Sequence, residues 1–454
     1  MELKDKKAVV VGLGKSGESA AKLLKTREAK VLVLEQKPLQ EVLAAAQNLE
    51  KFGIEVKAGG YGPSDFDSAQ LVVLSPGVNE KEKIYLDLAQ KGVEVIGELE
   101  LAARLVQAPI IAVSGTDGKT TTVSLLGEIF ARQYPDKVWV GGNIGNPVAD
   151  LVLSQARPQV VILEVSSFQL AQAKTFHPRV AVMLNIAPDH FDRHLDFEDY
   201  CQAKLRLFMN QTKDDAAVLN YNDQKVKALA GKISSSLIWF GDKIAKNHGA
   251  FLSGQELVYR NSRQEFKISF AGWKLLGKHN LENLLAASAA AGWFGVKPEA
   301  IQEALDAFRA PEHRLEFVAE IGGVKYFDDS KATTPHAVSA AINSFDNTPG
   351  KRLILLLGGR NKQIDFTTLA QDLKERVKSV ICFGEARYEI KEQLAAENIP
   401  GRLAERMADA VRSAKESAEA GNIILLSPGC ASFDEFRDYK ERGDQFKELV
   451  KNWK

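Results

Sequence analysis

Short apolar runs alternate with amphipathic or alanine-rich segments along most of the chain. The runs KAVVVGLG, AKVLVLE and AQLVVLSPG predict buried strands, and SGESAAKLLKTRE and EKIYLDLAQKG predict the helices between them. This rhythm implies parallel sheets with helices on their faces. It pauses at GELELAARLVQAP, which predicts a linker helix, and resumes with PIIAVSG, VWVGGN, QVVILEVSS and VAVMLNI. WKLLGKHNLENLLAASAAAGWFG predicts a long, tightly packing helix. FRAPEHRLE breaks the pattern a second time at its proline, before a third βα series through KRLILLLGGR, VKSVICFGE and NIILLSPGC. The pattern predicts an α/β protein of three domains, near residues 1–97, 98–310 and 311–454.

At roughly 100–200 residues per domain, two to four domains fit a chain of 454 residues. Lys plus Arg equals Asp plus Glu at 59 each, so no global charge draws the chain to nucleic acid or an anionic membrane. Cys201, Cys382 and Cys430 lie far apart with no C-x-x-C spacing, which fits a reducing cytosol rather than a disulfide framework. The N-terminus lacks the apolar run and cleavage site of a signal peptide, and no membrane span is expected.

Two loops are candidates for holding phosphate. Gly12, Gly14 and Gly17 fit G-x-G-x-x-G between a strand and a helix, and Glu35 ends the next strand. Glycine lets the backbone approach a pyrophosphate, and the helix start offers unpaired N–H groups. The motif favours a nucleotide without saying which, and a dehydrogenase fits it as well. The second loop, SGTDGKTTT, departs from the common G-x-x-x-x-G-K-[ST] form, because Val113 stands at the first glycine and Asp117 lies inside the loop. Here Gly115, Thr116, Asp117, Gly118 and Lys119 follow a buried strand, with a helix expected from about Thr120. Lys119 can reach terminal phosphates, and the Thr120 hydroxyl can ligate Mg²⁺. Asp117 can turn back on its own backbone and hold the loop open.

Glu164 ends the strand QVVILE, where ligand sites form in open α/β sheets, and suits a Mg²⁺. His190 and His194 are four apart, but Phe191 stands where a zinc-protease motif needs Glu. Lys204, in the helical segment FEDYCQAKLRLF, reads from pattern alone as a snorkelling lysine.

SGTDGKTTT, GGNIGNP, EVSSFQL, NIAPDHFDRH, AKLRLF, GKHNLENLLAA, PEHRLE, DDSKATTPHA, LLLGGRNKQIDF and LLSPGCASFDEFRDYKERGDQF occur in that order. Together they resemble the Mur ligases of bacterial cell-wall synthesis, over all three domains. The resemblance implies a Rossmann-like N-terminal domain for a UDP-linked substrate and a central P-loop-type ATPase domain with a mostly parallel sheet. It implies a C-terminal Rossmann-like domain that binds an amino acid and closes on ATP. The last two stretches point to the member that adds D-glutamate to UDP-N-acetylmuramoyl-L-alanine through an acyl phosphate. A cytoplasmic monomer acting on small molecules is expected.

Carried over by position, Gly115 to Thr121 hold the ATP phosphates, with Lys119 catalytic. Thr120 and Glu164 hold one Mg²⁺. His190 and Lys204, both catalytic, hold a second, Lys204 as a carbamate formed with CO₂. The amine reacts in its neutral form, which burial favours. Asn280, Asn283, Arg314, Asp329 and Lys331 match further ATP positions. Gly14, Lys15 and Ser16 then face a diphosphate, and Glu35, Gln36 and Lys37 lie near uracil. Ser75, Gly77 and Asn143 match other contacts of the UDP substrate. Lys362, Thr333, Ser432, Phe433 and Tyr439 match the D-glutamate pocket, where a cationic lysine suits an acidic substrate.

Overall fold

Five consecutive leucine-type residues in LILLLG are buried in both directions from the backbone, and the run illustrates how the sheets are built. In this strand Leu353, Leu355 and Leu357 enter one hydrophobic cluster, while Ile354 and Leu356 enter the other. Successive side chains of a strand point to opposite faces, so an unbroken apolar run requires helices on both sides. The computed structural model describes residues 2–452 except 192, 243, 245–247, 272, 274, 276, 310–311, 346–349 and 362–364.

Three sheets result. The first has five parallel strands, β1 (Lys7–Val11), β2 (Lys30–Glu35), β3 (Glu55–Ala58), β4 (Leu71–Leu74) and β5 (Glu94–Gly97), in the order β3-β2-β1-β4-β5. Val9 pairs with Leu32 on one side and Val72 on the other, so the chain order reverses at β1. The second sheet holds β6 (Ile110–Ser114), β7 (Val138–Gly142), β8 (Val160–Glu164), β9 (Val180–Met183), β10 (Ala216–Asn220) and β11 (Ser236–Gly241). It continues through β12 (Gly249–Ser253), β13 (Glu256–Arg260) and β14 (Glu265–Ser269), in the order β14-β13-β12-β11-β10-β9-β6-β8-β7. Among the described residues, only the β12–β13 and β13–β14 pairings are antiparallel here. In the third sheet, β15 (Glu316–Ile321), β16 (Val324–Asp328), β17 (Leu353–Gly358), β18 (Val377–Phe383), β19 (Gly401–Leu403) and β20 (Ile423–Gly429) run β15-β16-β20-β17-β18-β19, with β15 antiparallel.

The chain divides into two compact units. One comprises Met1–Ile186, Glu198–Ala271 and Leu284–Asp306, and the other Ala187–Phe197, Gly272–Asn283 and Ala307–Lys454. The first two sheets share the first unit. The segment read as a linker helix is the short helix Glu98–Ala103, and two carboxylates on it join those sheets. Glu98 Oε1 accepts the Ala149 N–H at 2.7 Å. Glu100 accepts the N–H groups of Lys174, Thr175 and Phe176, each at 2.9 Å, and the Thr175 hydroxyl at 2.6 Å. Arg104 Nε also donates to it at 2.7 Å. Burial raises the pKa of Glu100, but these donors outweigh it and hold the carboxyl below its ordinary value. Glu98 has fewer donors, and burial pushes it up to about 7. Among the described residues no helix is long and apolar enough to cross a membrane.

Candidate active site

Parallel sheets collect ligands beyond the C-terminal ends of their strands, at the point where strand order reverses. Both glycine loops lie at such points, one after β1 and one after β6. In the first, Gly12 has φ of +91°. A Cβ on Gly17 would stand 1.8 Å from the Gly12 carbonyl oxygen, so the third glycine is required by close packing of helix on loop. The helix Lys15–Thr26 starts from Gly14 with no side-chain cap, leaving its first N–H groups to a ligand or to water. Gly14, Lys15, Gln36, Lys37, Gly77 and Asn143 are exposed, and Ser16 is half-buried.

Glu35 and Ser75 turn inward instead. Glu35 is 8% exposed, and its two oxygens accept the N–H groups of Leu13 at 2.5 Å and Lys37 at 2.9 Å. Ser75 donates to the Gly12 carbonyl at 2.8 Å. Both side chains shape the loop, and the outward-facing positions beside them are Gln36 and Lys37.

The second loop begins at Gly115 and ends in Gly118, whose φ of +84° turns the chain into the helix Lys119–Gln133. That helix starts one residue earlier than the sequence suggested and has no side-chain cap. Its first N–H groups and its dipole favour an anion. The Lys119 ammonium donates to the carbonyls of Gly115 at 2.9 Å and Thr116 at 2.7 Å. An ammonium has three donors, so one is left for a phosphate.

Beneath the helix start, the Thr120 hydroxyl donates to Glu164 Oε2 at 2.7 Å. Glu164 is 2% exposed at the end of β8, and its other oxygen accepts from Asn143 Nδ2 at 2.9 Å. A hydroxyl and a carboxylate side by side next to an anion site are hard oxygen donors, and they fit Mg²⁺. Asn143, read as a substrate contact, is therefore also the residue that orients Glu164. Thr121 is buried at 2%.

Lys204 does not snorkel. It is 2% exposed on the helix Phe197–Leu205, lies 4.7 Å from the Tyr200 ring centre, and donates to the Gly115 carbonyl at 2.8 Å. The Tyr200 hydroxyl is 3.0 Å from that of Thr116. Tyr200 and Asn185 were not singled out in the sequence. Asn185 follows β9, the parallel neighbour of β6, and position at a strand end beside the loop strand was the signal available for it.

The remaining positions belong to the second unit. His190 has φ of +58°, and its N–H donates to Asp189 Oδ1 at 2.8 Å. Asn280 and Asn283 are buried and joined by a 3.2 Å hydrogen bond. Asp329, 7% exposed, accepts from the Ser427 hydroxyl at 2.8 Å and the Leu315 N–H at 3.2 Å. Burial nonetheless pushes its carboxyl up to about 7. Arg314 is half-buried on a turn whose flanking residues His313 and Leu315 both have positive φ. The buried His313 anchors this turn through Asp328 at 2.7 Å. Lys331 Nζ lies 3.7 Å from the Tyr439 ring centre. Thr333 is half-buried, Ser432 is buried and Phe433 is exposed. Lys362 lies outside the described residues.

Family models match in the same order as the sheets. The Mur ligase MurD-like N-terminal domain covers 6–97, the Mur ligase middle domain 113–291, and the Mur ligase glutamate ligase domain 313–430. The chain belongs to the Mur ligase family. A UDP-N-acetylmuramoylalanine–D-glutamate ligase of Acidobacterium capsulatum is 43% identical over 453 residues, covering 99% of this chain and 97% of the relative. The enzyme of the same name from Geotalea daltonii is 41% identical, with 99% and 98% covered. Among solved structures, UDP-N-acetylmuramate–alanine ligase of Thermotoga maritima aligns with a TM-score of 0.60 at 17% identity, over 99% of this chain and 100% of that one. At that identity the likeness concerns the fold.

Proposed function

We propose that this chain joins D-glutamate to UDP-N-acetylmuramoyl-L-alanine at a site built around Gly115 to Thr121, by way of an acyl phosphate. The enzyme is an ATP-dependent ligase of peptidoglycan synthesis that adds D-glutamate to UDP-N-acetylmuramoyl-alanine and uses Mg²⁺. The observation that carries the reading is full-length similarity to such ligases, together with the Thr120–Glu164 pair below an anion-binding helix start. Residues 1–97 are assigned to the UDP moiety, 98–310 to ATP and 311–454 to D-glutamate.

A carboxylate is a poor acyl donor. Its oxygen attacks the γ-phosphorus of ATP, releasing ADP and leaving an acyl phosphate. The D-glutamate amine then attacks the acyl carbon and loses a proton, and the tetrahedral adduct expels phosphate to leave the amide. In phosphoryl transfer the protein supplies positioning and charge stabilisation. Lys119 and the N–H groups of the helix start hold the triphosphate. Thr120 and Glu164 are assigned to Mg²⁺, which when bound neutralises charge on the transferring phosphate.

Lys204, as a carbamate, and His190 are assigned to a second Mg²⁺. The placement of Lys204 supports this, since its buried amine lies against the Gly115 carbonyl of the phosphate loop. Carbon-13 bicarbonate should give a carbamate signal that Lys204→Ala removes, and a signal that persists in the variant rejects the assignment. Asn280, Asn283, Arg314, Asp329 and Lys331 are assigned to ATP. Thr333, Lys362, Ser432, Phe433 and Tyr439 are assigned to D-glutamate. Gly14, Lys15, Ser16, Glu35, Gln36, Lys37, Ser75, Gly77 and Asn143 are assigned to the UDP substrate, Glu35 and Ser75 also shaping its loop.

The test is phosphate release from ATP with UDP-N-acetylmuramoyl-L-alanine and D-glutamate supplied singly and together. Release should need both, and Lys119→Ala should lower it by on the order of 10²–10³, as for loss of one electrostatic contact to a transition state. Turnover with UDP-N-acetylmuramate and L-alanine in their place rejects the assignment.

A further inference from the structure

The phosphate loop lacks the first glycine of the common form, yet it is held in a defined shape. Val113 at that position is fully buried within β6, and strand geometry continues through Ser114. The turn is thereby compressed into Gly115 to Gly118. Within this loop the Thr116 N–H donates to Asn185 Oδ1 at 3.0 Å, and the Asp117 N–H donates to the same oxygen at 2.8 Å. Asn185 Nδ2 in turn donates to the Asp117 carbonyl at 3.2 Å. The Thr116 N–H also lies 3.1 Å from the Asn185 backbone carbonyl. Loop and strand end are closely appressed, since a Cβ on Gly115 would stand 3.0 Å from Leu184 Cβ.

We infer that Asn185 is a positioning residue for ATP, its side-chain amide doing for the short loop what the missing glycine turn does in longer ones. The inference rests on the assignment of the triphosphate to Gly115 through Thr121. Asn185 engages the N–H groups of Thr116 and Asp117, which are therefore directed to the protein. The phosphates are left to the N–H groups from Gly118 onward, where the helix begins without a side-chain cap. Both hydrogen-bonding ends of the amide are needed, one to gather two N–H groups and the other to fix the Asp117 carbonyl that follows them. A loop loosened by a fraction of an ångström holds the γ-phosphate out of line, so the residue acts on binding and turnover of ATP.

The test compares Asn185→Ala, Asn185→Asp and Lys119→Ala in the full chain, with KM for ATP, KM for UDP-N-acetylmuramoyl-L-alanine, kcat and melting temperature as readouts. Asn185→Ala should raise KM for ATP about tenfold and lower kcat, with KM for the UDP substrate unchanged within about twofold. Asn185→Asp keeps an oxygen for both N–H groups, so it should melt as wild type does. It should still bind ATP weakly, because it loses the donor to Asp117 and sets a carboxylate beside a polyphosphate. Should the alanine variant not fold, the aspartate variant carries the same KM comparison alone. A lowered melting temperature with unchanged kinetics, or an equal rise in both KM values, overturns the inference in favour of a purely structural cap. If Lys119→Ala is inactive while the Asn185 variants turn over normally, only this inference falls. If Lys119→Ala is itself fully active, the triphosphate assignment falls first.

Discussion

Glu98 should make the unit containing the first two sheets lose stability as pH rises through neutrality. Its side chain is 1% exposed, one oxygen accepts the Ala149 N–H, and Oε2 has no hydrogen-bond partner. Burial pushes the carboxyl from 4.5 up to about 7. The folded protein therefore holds this proton more tightly than the unfolded chain does. The stabilisation is fully present below pH 4.5, declines between 4.5 and 7, and is gone above the folded pKa. A gap of about 2.5 pH units, at roughly 1.4 kcal/mol each, amounts to about 3–4 kcal/mol as an upper figure.

Glu98→Gln mimics the protonated acid and keeps an acceptor for Ala149. Its amide carries unpaired donors of its own, so its absolute stability is shifted, and the diagnostic quantity is the slope with pH. Urea unfolding followed by tryptophan emission at pH 5, 6, 7 and 8 reads it, because Trp139, Trp239 and Trp293 lie in the same unit as Glu98. Asp329 is also raised to about 7 by burial and contributes a slope of the same sign, which the difference between variant and wild type cancels. The variant should gain on wild type by up to about 2–3 kcal/mol from pH 5 to pH 8, because part of the range lies below pH 5. Parallel curves would refute the reasoning, since they would mean that Glu98 is ionised in the folded protein throughout.

Three further outcomes are expected. Glu100→Ala strands four donors that now end on one buried carboxylate and leaves Arg104 with its Glu94 ion pair, and should cost about 3–5 kcal/mol in urea unfolding. Gly17→Ala puts a methyl group 1.8 Å from the Gly12 carbonyl, so the first loop must shift. KM for the UDP substrate should rise about tenfold or more, with KM for ATP unchanged, in steady-state assays that vary each in turn. Chelation with EDTA should abolish phosphate release, and added Mg²⁺ should restore it; activity that survives chelation would remove the role given to Thr120 and Glu164.

The parts of the site that could be read from the sequence are those set by local geometry. Glu164 ends one buried strand, and Lys119 and Thr120 follow another within six residues, across a glycine turn; an apolar run announces such positions without knowledge of its neighbours. Asn185 is different. Its role depends on β9 lying beside β6 with Ala112 opposite Ala181 and Ser114 opposite Met183, a pairing between distant segments that periodicity does not encode. The junction helix was legible as a helix, but not its carboxylates. GELELAARL predicts a linker helix, and both of its first glutamates are buried because residues 149 and 174–176 present N–H groups to them. The hairpin extension β12–β13–β14 alternates apolar and polar residues over EFKIS, a pattern eclipsed by the stronger βα rhythm around it. Lys204 shows the limit of pattern alone, since a lysine among apolar residues has the same signature whether its amine reaches water or a buried carbonyl.

The Gly115 carbonyl accepts from both Lys119 and Lys204, and this shared acceptor bears on how the proposed modification is compatible with the loop. A carboxylate in that place would bind the Lys204 ammonium preferentially and oppose capture of CO₂, which needs the neutral amine. A carbonyl discriminates far less between the charged and neutral forms, because either offers it an N–H. After carbamylation the nitrogen still carries one hydrogen, so the 2.8 Å bond to Gly115 can persist while the new carboxylate group points elsewhere. A carbamate there would add a metal-binding oxygen without removing a support from the loop. The contact that steadies the loop before modification can be the same one that aims the carbamate afterwards, and Asn185 holds the next two residues independently of it.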